Sequence, residues 1–346
     1  MNKALIAALR ELEKEKGIKI DTLIEALKGA LNSAYKKNYK IDYDSRADIN
    51  IETGEIKVFR VLDEEEKDDH ESDELEVTPD NFGRIAAQTA MQVIKQKIKE
   101  AEREIMYDEY KDRLGDLVTG IVQQSDARFT LVDLGKVEAL LPQYEQVPNE
   151  RYRHGERIKA YISDVRKTTK GPQVIVSRTH TGLIRRLFEL EVPEIAEDLV
   201  EIINIAREPG HRTKIAVKSK DQNVDPVGAC VGPKGSRVRM VVDELGGEKI
   251  DIVNFSEDVV DFIKNALSPA KVVKVLTDED RKFALVVVHN DQLSLAIGRE
   301  GQNARLAAKL TGWKIDIKSQ QQFEDELEEA RRQRLESKQS DEQAAD

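Results

Sequence analysis

The chain has one cysteine, one tryptophan and 5 % aromatic residues among 346. A single cysteine excludes a disulfide framework and a cysteine-built zinc site, and it fits a reducing, cytoplasmic setting. No run approaches the ~18 apolar residues of a membrane span. Met1-Asn2-Lys3-Ala4 opens a charged amphipathic pattern rather than a secretory leader. The five histidines, at 70, 154, 180, 211 and 289, show no ligand spacing, and no nucleophile or carboxylate constellation stands out. These absences predict a non-enzyme with no metal and no cofactor. An excess of basic groups is also lacking: 55 Lys+Arg against 66 Asp+Glu give −11. Taken whole, that balance argues against a nucleic-acid binder, because affinity for phosphate comes from Lys and Arg.

The balance changes by segment. Residues 1–110 hold 18 basic and 26 acidic groups, residues 111–318 hold 33 and 31, and residues 319–346 hold 4 and 9. The acid therefore sits at the two ends. Within the middle, Arg207, Arg212, Lys214, Lys218, Lys220, Lys234, Arg237 and Arg239 face only Glu208, Asp221 and Asp225, a local basic patch that the total conceals.

At about 100–200 residues per domain the length allows two to four domains. Apolar stripes at Leu5, Ala8, Leu9, Leu12 and at Leu23, Ile24, Leu27, Ala30, Leu31, Ala34 predict two helices, the second capped by Asp21 or Thr22. A hairpin follows, with Ile49 and Ile51, a Thr53-Gly54 turn, then Ile56 and Val58. From Asp63 to Glu76 ten of fourteen residues are acidic, which predicts a solvated loop. Arg84 to Tyr110 lacks Gly and Pro and carries a seam at Ala86, Ala90, Ile94, Ile98, Ala101 and Ile105. That is one helix of about 40 Å at ~1.5 Å per residue, long enough to serve as a strut. Five short β-rich runs between 118 and 177, punctuated by glycines, then predict a small OB-type barrel.

Gly120-Ile121-Val122 followed by Val132-Asp133-Leu134-Gly135 resembles the ribosomal S1-type RNA-binding domain. That family usually offers an aromatic and a histidine where this chain has Leu131 and Pro142. The resemblance therefore implies weak RNA binding, through Arg153, Arg166, Lys167 and Lys170, with Phe129 as a substitute stacking residue or a core residue.

From about 181 the chain repeats itself. Gly232-Pro233-Lys234-Gly235-Ser236-Arg237-Val238-Arg239 aligns with Gly298-Arg299-Glu300-Gly301-Gln302-Asn303-Ala304-Arg305, and nine positions are identical through Ile252 and Ile317. Each copy reads α-β-β-α-GxxG-α-β. This resembles the KH domain in its bacterial (type II) topology. Two glycines let the loop backbone approach a ribose-phosphate chain while the next helix points its N–H groups at it, and a flanking groove holds about four unstacked bases. Lys234 adds charge to the first loop. Arg299 sits beside Glu300 in the second, which is expected to bind phosphate more weakly. The candidate RNA-binding residues are Gly232, Pro233, Lys234, Gly235, Arg237, Arg239 and Lys218 in the first copy. In the second they are Gly298, Arg299, Gly301, Gln302, Asn303 and Arg305, with Arg166 and Lys167 in the barrel. A phosphate-binding P-loop is excluded because Gly235 separates Lys234 from Ser236. Cys230 reads as a small buried residue rather than a nucleophile, and Trp313 as a core or sheet-edge residue rather than a stacking platform.

An S1-type barrel and two KH domains behind an α-rich head resemble the NusA family of bacterial transcription termination/antitermination factors. The likeness is dense at 82–90, 192–195, 225–232 and 295–303. The fold class it implies is multidomain α+β: a head with its long helix over 1–110, the barrel over 111–180, KH domains over 181–254 and 255–318, and an acidic tail over 319–346. The family implies a monomer that binds RNA polymerase, nascent single-stranded RNA and other Nus antitermination factors, with no membrane association. The alternative is a stand-alone S1/KH adaptor of an RNA-degrading complex. The acidic run stands where the family has a further helix and strand, so a reduced head core is expected. No counterpart of the acidic repeats of some members is expected in the tail, which reads as helical around Phe323–Leu335.

Overall fold

The computed structural model describes residues 2–62, 73–126 and 128–343. They form two compact units: residues 1–112 with 165–173, and residues 113–164 with 174–346.

In the first unit, helices α1 (Asn2–Lys16) and α2 (Ile20–Tyr39) precede strands β1 (Ser45–Ile49), β2 (Ile56–Val61) and β3 (Glu74–Glu76), which form one antiparallel sheet in that order. Helix α3 (Phe82–Asp112) follows. Leu9, Leu23, Ile24, Leu27, Leu31 and Tyr35 pack with Val58, Phe82, Ala86 and Ala90 in a single core. Only the N-terminal half of the α3 seam is in it; Ile105 is exposed. Three expectations are corrected here. Helix α2 begins before Asp21 and Thr22 and has no side-chain cap; instead Glu13 accepts from the Ile20 N–H at 3.1 Å. Glu74 and Glu76 are not a solvated loop, because Arg46 and Lys57 neutralise them across the sheet at 2.7 and 3.0 Å. The further strand that was not expected is present as β3, and the described head residues share one core; residues 63–72 of the acidic run lie outside the described residues.

Strands β4 (Leu117–Ser125), β5 (Phe129–Asp133), β6 (Glu138–Pro142), β7 (Arg157–Thr168) and β8 (Gly171–Ser177) close a barrel in the order β4-β5-β6-β8-β7. The tip of the β7–β8 hairpin belongs to the first unit, where Lys167 meets Glu104 at 2.7 Å and Arg103 donates to the Thr169 carbonyl.

The repeat is two copies of one unit. The first comprises α4 (Thr181–Glu191), the short α5 (Pro193–Ala196), β9 (Val200–Glu208), β10 (Arg212–Ser219), α6 (Pro226–Val231), α7 (Ser236–Glu244) and β11 (Lys249–Asn254). The second comprises α8 (Val259–Ala266), β12 (Val272–Asp278), β13 (Phe283–Val288), α9 (Leu293–Ile297), α10 (Gln302–Thr311) and β14 (Lys314–Ser319). In each, the first two strands pair antiparallel and the third joins in parallel. The helices of the second copy are shared. Ala206, Ala216 and Val253 from the first sheet lie in one core with Phe262, Ile263, Leu306, Leu310, Ala284 and Val286. The helical layer of the second copy is thus packed between two sheets. Helix α11 (Gln320–Gln343) continues from β14, and Glu326 meets Lys318 at 2.5 Å.

Candidate nucleic-acid interface

Both GxxG segments join a short helix to a longer one by a single tight turn. Asp225 caps α6, accepting from the Val227 N–H at 3.1 Å. Gly232 then ends that helix at φ 73°, ψ 173°. Lys234 is left-handed at φ 53°, and Gly235 at φ 75° starts α7. In the second loop Gly298 lies at φ 76°, ψ 172°, Glu300 at φ 54° and Gly301 at φ 73°. The two backbones agree within a few degrees at Gly232/Gly298, Lys234/Glu300 and Gly235/Gly301, although Pro-Lys has been replaced by Arg-Glu.

The paired glycines do different things. A Cβ on Gly232 would come within 2.6 Å of the Arg237 side chain, and one on Gly298 within 2.9 Å of the Asn303 backbone nitrogen. These two glycines permit close packing onto the following helix. A Cβ on Gly301 would meet nothing within 4 Å, and one on Gly235 only Val238 at 4.0 Å. The second glycine of each loop therefore opens onto space, beside a helix start whose first-turn N–H groups have no intrahelical acceptor. A ribose-phosphate chain is the kind of ligand such a ledge can admit.

Side chains around the loops sort into free and engaged groups. Lys234 and Arg239 are exposed and carry no ion pair among the described residues. Arg237 turns inward, donating to the Ala229 carbonyl at 2.6 Å and to Glu194 at 2.8 Å. Asn303, its counterpart, is buried and donates to the Leu267 and Ala296 carbonyls at 3.1 and 3.0 Å. Both hold their loop from behind rather than face solvent. Gln302 and Arg305 reach Glu208 on β9 at 2.8 and 2.5 Å. Arg299 is exposed and lies 3.9 Å from Glu300. Lys218 meets Glu257 at 2.6 Å. In the first unit Lys167 is paired with Glu104, and Arg166, also exposed, is engaged.

The basic patch read from the sequence largely dissolves. Arg207 is buried against Glu248, with Nε and Nη2 each 2.9 Å from its carboxylate. Burial raises the Glu248 pKa, but Arg207, the Thr213 hydroxyl and the Gly210 N–H outweigh it and hold the carboxyl below the usual range. Arg212 grips Asp251 through two 2.8 Å bonds. Lys214 is fully buried, between Asp251 at 3.1 Å and the Ser268 carbonyl at 2.8 Å. Burial pushes its ammonium below the ordinary lysine value, against the pull of Asp251. Lys220 meets Asp198 at 2.6 Å. Six of the eight cations have acidic partners, those of Lys218 and Lys220 at the surface, whereas Lys234 and Arg239 carry no ion pair among the described residues. Cys230 is buried at the end of α6, its thiol pushed up to about 12 by desolvation.

On the barrel, Leu131 is half-buried and Pro142 buried, with Phe129 opposite Pro142 across β5 and β6. The exposed aromatic is Tyr144, 72 % accessible in the turn after β6. Sequence reasoning passed over it because it lies outside the strand pattern. Among the described residues no group of three His, Cys, Asp or Glu could hold a metal, and no helix is long and apolar enough to cross a membrane.

Comparison with known families assigns these parts. A NusA N-terminal domain matches residues 4–104, an S1 RNA binding domain 111–177, a NusA-like first KH domain 178–255 and a NusA-like second KH domain 259–325. Transcription termination/antitermination protein NusA of Halalkalibacterium halodurans is 56 % identical over 345 residues, covering 94 % of this chain and 90 % of the relative. The chain belongs to the NusA family. NusA of Bacillus subtilis is 55 % identical, with 92 % of each chain covered, and NusA of Mycobacterium bovis 46 %, with 90 % and 92 % covered. The solution structure of the N-terminal domain of NusA from B. subtilis is 43 % identical over 30 % of this chain and 99 % of that one, with a TM-score of 0.26. In this NusA-family chain both GxxG loops fall inside the matched KH domains, and Tyr144 falls inside the matched S1 domain.

Proposed function

We propose that this chain acts as a transcription elongation factor that docks its head, 1–110, on RNA polymerase and holds the nascent single-stranded transcript on 111–318. Bound in that way it modulates pausing, intrinsic termination and, with other Nus factors, antitermination. The observation that carries the RNA-binding part is the open second glycine of each loop, Gly235 and Gly301, in two turns of one conformation. Lys234 and Arg239 supply the phosphate charge in the first loop, and Arg299 in the second. Pro233 and the four glycines shape the ledges, and Arg237, Asn303, Gln302 and Arg305 brace them. Lys218, Arg166 and Lys167 contribute only where RNA displaces their carboxylate partners or approaches their exposed faces. On the barrel Tyr144 offers a face for one base, a contact worth about 1–3 kcal/mol on comparable platforms.

The test is a pair of measurements on the full chain. It should co-purify with core RNA polymerase and bind single-stranded RNA, and replacing Pro233 and Lys234 with Asp should abolish most of the second without touching the first. Failure to bind polymerase with RNA binding intact would favour a stand-alone adaptor.

A further inference from the structure

The two loops share a backbone but are anchored by different parts of the chain. In the first, Arg237 ties the loop to Glu194 on α5, within its own repeat. Arg239 is exposed and carries no ion pair among the described residues. In the second, the matching Arg305 is held: its Nε lies 2.5 Å from Glu208 Oε1, and its Nη1 donates to the Glu300 carbonyl at 3.2 Å. Gln302, the first residue of α10, donates to the other oxygen of Glu208 at 2.8 Å. Glu208 closes β9 in the first repeat and pairs with Arg212 across the sheet. Its equivalent in the second repeat, Asp278, pairs with Phe283 in the same register and, among the described residues, faces Arg281, at 3.8 Å.

We infer that Glu208 is a positioning residue for the second RNA ledge: it fixes the loop carbonyl of Glu300 through Arg305 and the first turn of α10 through Gln302, so that the second loop is aimed by the first repeat. This rests on the reading of both loops as RNA sites. Several observations converge on it. Glu208 is mostly shielded while Arg305 is half exposed, so the carboxylate is the fixed partner and the guanidinium the adjustable one. The Glu208 carboxyl is held below its ordinary range, first by Arg305 and then, against burial, by Gln302 and Lys309. The neighbouring Asn204 amide donates to the Leu310 carbonyl at 3.0 Å, so β9 grips α10 at both ends. The loop itself lacks the proline that stiffens the first one, and it needs an outside brace.

The experiment measures RNA affinity in two backgrounds of the full chain: Pro233→Asp with Lys234→Asp, which leaves the second loop to bind, and Arg299→Asp, which leaves the first. In the first background Glu208→Ala should weaken binding about tenfold, and Glu208→Gln, which keeps an acceptor for Arg305, should stay within about threefold. In the second background neither change should matter. Hydrogen exchange at residues 300–302 should quicken in Glu208→Ala while that of 234–236 stays unchanged. Unchanged or tighter binding in the first background, or equal losses in both, overturns the inference while the RNA reading stands. No RNA binding at all in the first background, before Glu208 is altered, refutes the reading of the second loop and the inference with it.

Discussion

The two KH copies fold to the same turn from different residues, and their differences fall on the side chains rather than the backbone. The first repeat presents Lys234 and Arg239 to solvent over a loop braced from within. The second presents Arg299 beside Glu300, and its other arginine is committed to Glu208. Their sheets differ in the same way. The outer face of the first carries Lys214, Arg212 and Asp251 beneath the helices of the second repeat. In the second the equivalent of Asp251 is Asp316, half exposed and 3.8 Å from Lys318. A duplicated scaffold can thus hold one geometry while one copy keeps its cations exposed and the other takes a neighbour's support.

That contrast can be broken experimentally. The largest effect is expected from Asp251→Ala, which strands buried Lys214 and should destabilise the second unit by about 3 kcal/mol, as broken buried pairs do. Asp316→Ala at the equivalent position should cost under about 0.5 kcal/mol. Chemical denaturation of the two variants makes the comparison, and similar losses would show that the sheets are not differently built. Next, Pro233→Asp with Lys234→Asp should lower affinity for single-stranded RNA by on the order of tenfold to a hundredfold. Aspartate tolerates the left-handed position of Lys234, so the turn is kept. Arg299→Asp should cost about threefold in the same anisotropy titration, since fewer charges are lost there.

Gly298→Ala should lower stability by about 1–2 kcal/mol, more than Gly301→Ala, although both sit at positive φ, because only the first drives a Cβ against backbone. Thermal melts of the two variants would show the order. The smallest effect concerns acid. The Glu248 and Asp251 carboxyls are held below their ordinary range in the fold. Their contribution is fully present above the unfolded carboxylate pKa of about 4 and is lost as pH falls through the lower folded values. Melting temperature should therefore drop below about pH 4, and Glu248→Gln should flatten that part of the profile.

Much of this architecture was legible in the sequence because it rests on local pattern. Glycine spacing marked both loops, period-2 runs marked the barrel, and the seam through Ala86 and Ala90 marked α3. What escaped was set by partners distant in sequence. Glu74 and Glu76 looked like the end of a solvated run until Arg46 and Lys57 came alongside. Asn303 and Gln302 looked like surface groups of an exposed loop, yet one is buried and the other meets Glu208 94 residues away. Counting charge in a window found eight cations, but counting cannot tell that Arg207 and Lys214 are inside. Glu208 left one faint trace, as one of three acids among those cations.

The helical layer shared between the two KH sheets has a consequence for how the chain is made. As the polypeptide leaves the ribosome, the first repeat emerges with Ala206, Ala216, Val253 and the Lys214 ammonium on an uncovered face. That face is completed only once Leu306 and Leu310 have been synthesised, more than fifty residues after Val253. During that interval it is a sticky surface exposed to other nascent chains. A fragment ending after Asn254 should share that liability permanently, aggregating where the tandem pair stays in solution.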